Sequence, residues 1–281
     1  MSDLSTLSIA GLAMSVLRLC VWLVLLAAIF VPIERLFALR PEKVFRKAIW
    51  ADLGFYFLSS LLPGLVLGFP MAMIAIAGHR VVPWAFQDAV AHAPLWVRMV
   101  AGLLIGEVGA YWGHRLSHQI PFLWRFHAVH HEAEHMDWLV NTRTHPVDMV
   151  FTRLCTLSPL FMLGLGGPSN GAEGSLVPAL VLVIGAAWGF FVHANVRWRF
   201  GPLEQLVATP AFHHWHHTLE GPINRNFSSM LPWLDKVFGT FHLPRRQWPA
   251  EYGVSEQMDA DAAGAVAAGN AAVGSRPLTR A

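Results

Sequence analysis

Histidines between residues 114 and 217 of this chain are the residues whose types and spacing are best suited to chemistry. The chain has 281 residues and 15 histidines. Three clusters have members within four positions of one another. They are His114 and His118; His127, His130 and His131; and His213, His214, His216 and His217. On a helix, positions i, i+3 and i+4 share one face, so each cluster presents two or three imidazoles to the same side. Imidazole binds iron, zinc, copper and nickel, and the spacing therefore predicts a metal site.

The number of clustered histidines predicts more than one metal ion. One ion accepts about four to six ligands, so a single ion cannot use all of the clustered imidazoles. Two ions that draw ligands from several helices can. The histidines left open as ligands are His135, His145 and His214, and those expected to be structural are His79, His92 and His242.

Carboxylates are scarce near the clusters. A soluble carboxylate-bridged di-iron bundle repeats a Glu-x-x-His motif, and only Glu132 and His135 have that spacing here. Glu107 lies in an apolar stretch seven residues before His114 and therefore on the same helical face. An acid inside a membrane segment is functional by default. We expect Glu107 to accept a hydrogen bond from a metal-binding imidazole, and pairing with an arginine is the alternative.

Two other functions fit part of the pattern. Residues 131–135 read His-Glu-Ala-Glu-His, which matches the H-E-x-x-H motif of zinc metalloproteases with His131 and His135 as ligands and Glu132 as general base. A protease leaves the first and third clusters without a role, and Asn141 occupies the position of a third histidine ligand. A metal transporter is the second alternative, but its ligands should lie at mid-membrane depth.

Long apolar segments must position these histidines. Hydrophobic residues make up 54% of the chain and charged residues 14%, against about 25% charged residues in soluble domains. The segments long enough to predict membrane spans are 53–78 and 176–192, with weaker ones at 19–33, 99–113 and 147–167, the last around Arg153. The N-terminal segment, with its apolar run at 19–33, is expected to be a membrane anchor rather than a cleaved signal peptide. The prediction is an all-α polytopic membrane bundle with a helical cap that carries the histidine clusters.

Basic residues predict which side of the membrane holds the clusters. The loop between the first two spans contains Arg35, Arg40, Lys43, Arg46 and Lys47, and basic loops stay in the cytoplasm. Counting spans places residues 78–98 and 168–175 outside, and 114–146 and everything after about 193 inside. We expect membrane anchor helices over 1–98, a catalytic domain over 99–250 and a disordered Ala/Gly-rich tail over 251–281.

The remaining composition excludes other classes of function. A net charge of +2 is too small to predict nucleic-acid binding. Cys20 and Cys155 are too few for a zinc–thiolate site, a disulfide framework or a four-cysteine iron–sulfur cluster.

The histidine clusters and their flanks resemble the fatty acid hydroxylase/sterol desaturase superfamily of membrane-bound non-haem di-iron oxygenases. That family carries H-x3-H, then H-x2-H-H, then a second H-x2-H-H. The matching segments are YWGHRLSH at 111–118, LWRFHAVHH at 123–131, TPAFHHWHH at 209–217 and the continuation from Asn226 to Thr240. His193-Ala-Asn195 matches an intervening motif. The resemblance covers residues 100–242, and it departs from the family in the extra His214 and in Gln119, where some relatives carry an acid.

The resemblance implies an enzyme that hydroxylates or desaturates a fatty acyl, sterol-like or related lipid with O2 and two iron ions. The ligands it implies are His114, His118, His127, His130, His131, His193, His213, His216 and His217. Asp148, like Glu107, is expected to fix the tautomer of a ligand, and Asn195 to hold a water. Electrons are expected to come from a separate ferredoxin, rubredoxin or cytochrome b5-type protein. The protein is expected to lie in a bacterial cytoplasmic membrane, with the histidine clusters facing the cytoplasm.

Overall fold

The computed structural model describes residues 9–254, and these form a bundle of helices with no extended strand, which confirms the all-α prediction. The α-helices are α1 (Ile9–Leu36), α2 (Ile49–Val66), α3 (Gly68–Val81), α4 (Trp84–Ala91), α5 (Leu95–Gln119), α6 (Pro121–His131), α7 (Pro146–Met162), α8 (Leu176–His193), α9 (Pro210–His216) and α10 (Trp233–Val237). Short 3-10 helices cover Trp138–Thr142, Pro168–Glu173 and Gly201–Gln205. From residue 255 onward, the predicted tail lies outside the described residues.

Four described helices are long and apolar enough to cross a membrane, namely α1, α2, α5 and α8. The single span predicted over 53–78 is instead divided into α2 and α3 at Leu67. Pro63 lies inside α2, and a proline removes one backbone hydrogen bond and clashes with the preceding turn, so it bends a helix. The weaker segment predicted over 147–167 forms α7, which has 17 residues and ends at Met162.

Helices α5 and α7 approach each other closely because small residues line their contact. A Cβ atom on Gly109 would overlap the backbone carbonyl of Cys155, and one on Gly113 would lie 2.9 Å from the Cys155 Cβ atom. Leu160 of α7 and Val181 of α8 are buried beside this contact. Glycines at a helix–helix contact let the two backbones come together, and here they join the helix that carries His114 to the helix that carries Asp148.

The loops gather at two ends of the bundle. At one end, Arg98 at the start of α5 forms an ion pair with Glu173 and donates to Asn170, both in the loop after α7. Gln87 of α4 donates to the carbonyl of Met162 at 2.8 Å. The histidine clusters lie at the opposite end, where α5 finishes and α7 begins.

Buried ion pairs connect the N-terminal helices to the histidine end. Arg46 lies 2.6 Å from a carboxylate oxygen of Asp52 and 2.6 Å from one of Asp137. Asp52 also binds Arg143 at 2.7 Å. Asp137 caps the 3-10 helix by accepting the amides of Leu139 and Val140. The loop after α1 therefore packs on the segment that follows the second cluster.

Candidate metal centre

Five histidines of α5, α6 and α9 converge in a first group. Each offers one ring nitrogen, and these nitrogens all lie within 4.8 Å of one another. The members are His114, His118, His127, His131 and His216. Four of the five are buried, and His114 is partly buried. We call this set the five-histidine group.

Four further histidines form a second group with the same spacing between ring nitrogens. The members are His130, His193, His213 and His217. The Nε2 atom of His193 lies 3.2 Å from that of His130 and 3.0 Å from that of His213, and His213 lies 3.1 Å from His217. Several imidazole nitrogens at this distance suit a shared cation, because each brings a lone pair to the same point. We call this set the four-histidine group.

The two groups are adjacent because two His-His pairs are divided between them. His131 belongs to the first group and His130 to the second, and His216 and His217 are divided in the same way. The rings of His131 and His217 stack with centroids 4.5 Å apart. All nine predicted ligands are therefore brought together, in two neighbouring groups.

Prolines and a capping threonine mark the N-termini of two helices that carry these histidines. Pro121 and Pro210 occupy the first turns of α6 and α9, where a missing backbone N–H costs nothing. The Thr209 hydroxyl caps α9 by accepting the amide of Phe212 at 3.4 Å. Because each helix starts at a fixed residue, the sides of α6 and α9 on which His127 and His213 lie are fixed as well.

Six of the nine histidines are oriented through their Nδ1 atoms, which lie within hydrogen-bond distance of an oxygen acceptor. The pairs are His114 with the Phe227 carbonyl at 2.8 Å, His118 with Asn224 Oδ1 at 3.0 Å, His127 with Asp148 Oδ2 at 2.9 Å, His130 with the Arg143 carbonyl at 3.0 Å, His193 with the Gly189 carbonyl at 2.7 Å and His216 with the Arg225 carbonyl at 2.7 Å. An Nδ1–H that donates leaves the lone pair on Nε2, which is the atom that binds a metal.

The chemistry of the buried nitrogens fits bound metal ions. Within the described residues, the buried Nε2 atoms of His118, His127 and His216 have no hydrogen-bond partner, and such orphaned polar atoms are rare in proteins. Burial lowers the pKa of His130 to about 3 and holds the pKa of His131 well below its usual range. The imidazoles are therefore neutral at physiological pH, which is the form that ligates.

The acids near the centre differ in their roles. Asp148 binds His127, as expected, and its other oxygen accepts the Ser117 hydroxyl at 3.0 Å. The expectation for Glu107 is wrong, because its Oε1 atom accepts the backbone amides of Met230 and Leu231 at 2.6 and 3.0 Å. Glu107 lies two helical turns from His114, and its carboxylate binds the loop before α10 rather than an imidazole.

Asn195 also differs from its expected role as a water holder. Its side chain pairs with the backbone of Arg40, accepting from the N–H at 3.1 Å and donating to the carbonyl at 2.7 Å. The backbone N–H of Asn195 donates to the Oε1 atom of Glu34 at 2.9 Å. Asn195 therefore joins the end of α8 to the loop after α1.

The alternative protease motif is not assembled. Helix α6 ends at His131, so His131 and His135 do not share a helical face. His135 is instead partly exposed and binds Glu42 at 2.9 Å. A zinc site of that kind requires both histidines on one helix, and the motif match comes from two histidines with separate roles.

The other two histidines that were left open have structural contacts. His145 caps α7 by accepting the amide of Val147 at 3.2 Å. His214 is fully buried and bonds to the Tyr252 hydroxyl at 2.8 Å. Tyr252 is itself buried, so ordered packing continues past residue 250, where the tail was predicted to begin.

Asn224 and Asp235 are site residues that the sequence analysis did not single out. Asn224 orients His118 from a backbone with φ of 58°. Asp235 accepts the amides of Phe227 and Ser228 at 2.8 and 2.9 Å, and so shapes the turn whose carbonyl binds His114. Both lie in or beside the stretch from Asn226 to Thr240 that matched the family continuation, which was the available signal.

A cavity of about 290 Å³ lies inside the bundle directly below the histidines. Its walls come from α2, α5, α7 and α8, and include Ser60, Ala110, Met149 and Phe190. Ala110 is one helical turn before His114, and Met149 follows Asp148. The cavity therefore lies beside the helix segments that carry His114 and Asp148.

Comparison with known proteins places the matched region over the site. A family model described as "Fatty acid hydroxylase" matches residues 99–240. The chain is similar to ornithine lipid hydroxylase OlsE of Rhizobium tropici, with 35% identity over 68% of this chain and 55% of that protein. It is similar to human alkylglycerol monooxygenase, with 32% identity over 54% of this chain and 32% of that protein. It is also similar to methylsterol monooxygenase 2-2 of Arabidopsis thaliana, with 26% identity over 52% of this chain and 54% of that protein.

These matches cover only part of each relative. The chain spans about half of the ornithine lipid hydroxylase and of the methylsterol monooxygenase, and about a third of the human alkylglycerol monooxygenase. No solved structure matches the chain.

Proposed function

The chain belongs to the fatty acid hydroxylase family, and from this premise we propose that it is a membrane-bound oxygenase that uses O2 and two iron ions to oxidise a lipid. The observation that carries the proposal is the pair of adjacent all-histidine groups at one end of a membrane bundle. Each group provides the number of nitrogen ligands that one transition-metal ion accepts.

The five-histidine group would hold one iron ion and the four-histidine group the other. When bound in such a nitrogen-rich site, reduced iron would supply the chemistry that activates O2. The chain's own residues orient the ligands: Asp148 and the carbonyls of Phe227, Arg143 and Arg225 hold the imidazoles with their Nε2 atoms inward. Ligands fixed in this way need no rearrangement when the metal binds or reacts.

The cavity below the histidines is the proposed place for the lipid. Its walls combine apolar residues, among them Leu103, Val181 and Phe190, with polar residues such as Ser60 and Thr152. The apolar part of this lining would contact a hydrocarbon chain, and the polar part would contact a head group. The relatives are named for ornithine lipids, alkylglycerols and methylsterols, which supports a lipid substrate. Their names as hydroxylases and monooxygenases favour hydroxylation over desaturation.

The chain's charge pattern bears on which side of the membrane holds the centre. Basic residues at 35–47 lie on the loop that packs against the histidine end, which supports a cytoplasmic position for the centre. The proposed location is a bacterial cytoplasmic membrane. The proposed electron donor is a separate redox protein of the ferredoxin, rubredoxin or cytochrome b5 type.

The proposal is tested by the oxygen that appears in lipids. Cells that express the chain are grown under ¹⁸O2 and their lipid extracts compared by mass spectrometry with extracts from cells that express His131→Ala. We expect at least one lipid to gain a single ¹⁸O atom only with the unmodified chain. Identical lipid profiles, with the two proteins present in equal amounts and the required donor supplied, would contradict an oxygenase.

A further inference from the structure

Arg153 is a cation within the bundle that the metal centre does not use. It lies in the middle of α7, seven residues after Pro146 and nine before Met162. At 1.5 Å per residue, the nearer end of the helix is about 10 Å away. Its side chain lines the cavity below the histidines and is half-buried.

No residue of the described chain, 9–254, forms an ion pair or a hydrogen bond with the Arg153 guanidinium. The buried arginines have such partners: Arg46 and Arg143 bind Asp52, and Arg98 binds Glu173. Glu107 lines the same cavity, but its Oε1 atom already accepts two backbone amides. A charge inside a membrane bundle is costly unless it has a partner or a function.

The surroundings of Arg153 suit a small anionic group attached to a hydrocarbon chain. Asn141 and Thr144 line the cavity and offer an amide and a hydroxyl. Leu182 and Phe190 supply apolar wall. A guanidinium presents a planar fork of donors that matches a carboxylate or a phosphate.

We propose that Arg153 binds the anionic group, a carboxylate or a phosphate, of a lipid that lies in this cavity. The inference rests on the proposed function in that it treats the cavity as the substrate site. Asp148, which orients His127, is five residues before Arg153 on the same helix, or about 7 Å along its axis. The anionic group is therefore held beside the metal-binding end and fixes how the lipid is presented to it.

The test uses two pairs of lipids that differ in the anionic group. The purified full chain in a neutral maltoside detergent is titrated with oleate or oleyl alcohol, and with oleoyl lysophosphatidate or monoolein, and Tm is followed. For at least one pair, we expect the anionic lipid to bind about tenfold or more tightly than its neutral partner. The pair that shows the preference identifies the group as a carboxylate or a phosphate.

Variants assign the preference to Arg153. Arg153→Met should bind both members of a pair equally, and Arg153→Lys should keep part of the preference because it retains the charge but not the fork. Arg80→Met is the matched control, since Arg80 is exposed at the other end of the bundle, and it should behave like the unmodified chain. Equal binding of both members by the unmodified chain, or an unchanged preference in Arg153→Met, would overturn the proposal.

Two further readouts separate this site from a structural role and from the proposed function. Without lipid, Arg153→Met should melt at or above the Tm of the unmodified chain, because it removes an unpaired cation. A lower Tm together with weakened binding of both lipids would overturn the proposal by assigning Arg153 to packing. Iron is counted on the same samples, and Arg153→Met should match the unmodified chain. Absence of iron from both the variant and the unmodified chain would contradict the proposed oxygenase. The preference for the anionic lipid would still test the role of Arg153.

Discussion

At the scale of single residues, the facing of each imidazole depends on the acceptor beside its Nδ1 atom. Most of these acceptors are backbone carbonyls, which cannot be removed by substitution. The two side-chain acceptors are Asn224 and Asp148, and Asp148 is the carboxylate and is itself buried. It therefore offers a direct way to disturb one ligand without touching the ligand.

Asp148→Asn should weaken metal binding at the five-histidine group. The amide is neutral, so His127 loses the negative charge that makes it a stronger ligand. Loss of such a partner costs about 10–100-fold in metal affinity, which chelator competition on the purified chain measures. Ser117→Ala is the matched control, because it removes only the hydroxyl that donates to the other Asp148 oxygen. Equal affinity in Asp148→Asn and the unmodified chain would contradict this role.

His131 and His135 separate the proposed centre from a zinc protease site. His131 belongs to the five-histidine group, whereas His135 faces Glu42. We expect His135→Gln to keep the full metal content and His131→Gln to lose at least one ion, as measured by elemental analysis of the purified proteins. A similar loss in both variants would instead favour a site built on the pair.

At the scale of helices, the arrangement of the histidine end depends on the contact between α5 and α7. The contact is made by glycines on α5, and Gly109 is its tightest point. Since α5 carries His114 and His118 and α7 carries Asp148, any separation of the two helices changes the distance between ligands and their supports. We therefore expect helix packing and metal binding to be coupled.

Gly109→Ala should lower both Tm and metal content. Its Cβ atom would overlap the Cys155 carbonyl, and overpacking of this kind costs about 1–3 kcal/mol. Gly54→Ala on α2 is the control, because nothing lies within 4 Å of a Cβ atom there. Thermal unfolding and elemental analysis of both variants check the prediction. An unchanged Gly109→Ala protein would show that the two helices can separate without cost.

Much of the candidate site could be predicted from the local spacing of residues. The features that could not be predicted depend on how distant helices and loops pack. The i, i+3 and i+4 rule placed the ligands of α5 and α6 on common faces. It did not reveal that the His130–His131 pair is divided between two groups, because that depends on where α8 and α9 lie. Glu107 was misjudged for the same reason: helical spacing placed it below His114, but a loop from 123 residues away occupies its carboxylate.

The helices were predictable from hydropathy, but their breaks were not. The apolar run at 53–78 has no charge, so composition alone predicted one span, while Pro63 and the neighbouring Leu67 divide it. Asn195 shows a similar limit. A polar side chain after an apolar helix suits either water or backbone contacts, and only the position of the loop at Arg40 decides between them.

At the scale of the whole molecule, the two ends of the bundle should lie on opposite sides of the membrane. Ala89 on α4 is exposed at one end, and Glu220 after α9 is exposed at the other. The basic loop that packs beside the histidines predicts that the second end is cytoplasmic. Single cysteines at these two positions test the prediction in a chain without Cys20 and Cys155.

A membrane-impermeant maleimide applied to intact cells should label Ala89→Cys and not Glu220→Cys. Permeabilised cells are the control, and both cysteines should then react. Labelling of Glu220→Cys alone in intact cells would place the histidines outside and contradict the proposed orientation.

The central claim is that the nine gathered histidines hold two iron ions, and counting metals on the purified full chain tests it most directly. We expect about two irons and little zinc per chain, with about one iron lost in His118→Ala from the five-histidine group and about one in His193→Ala from the four-histidine group. One zinc per chain, or an iron content that neither substitution changes, would contradict the account.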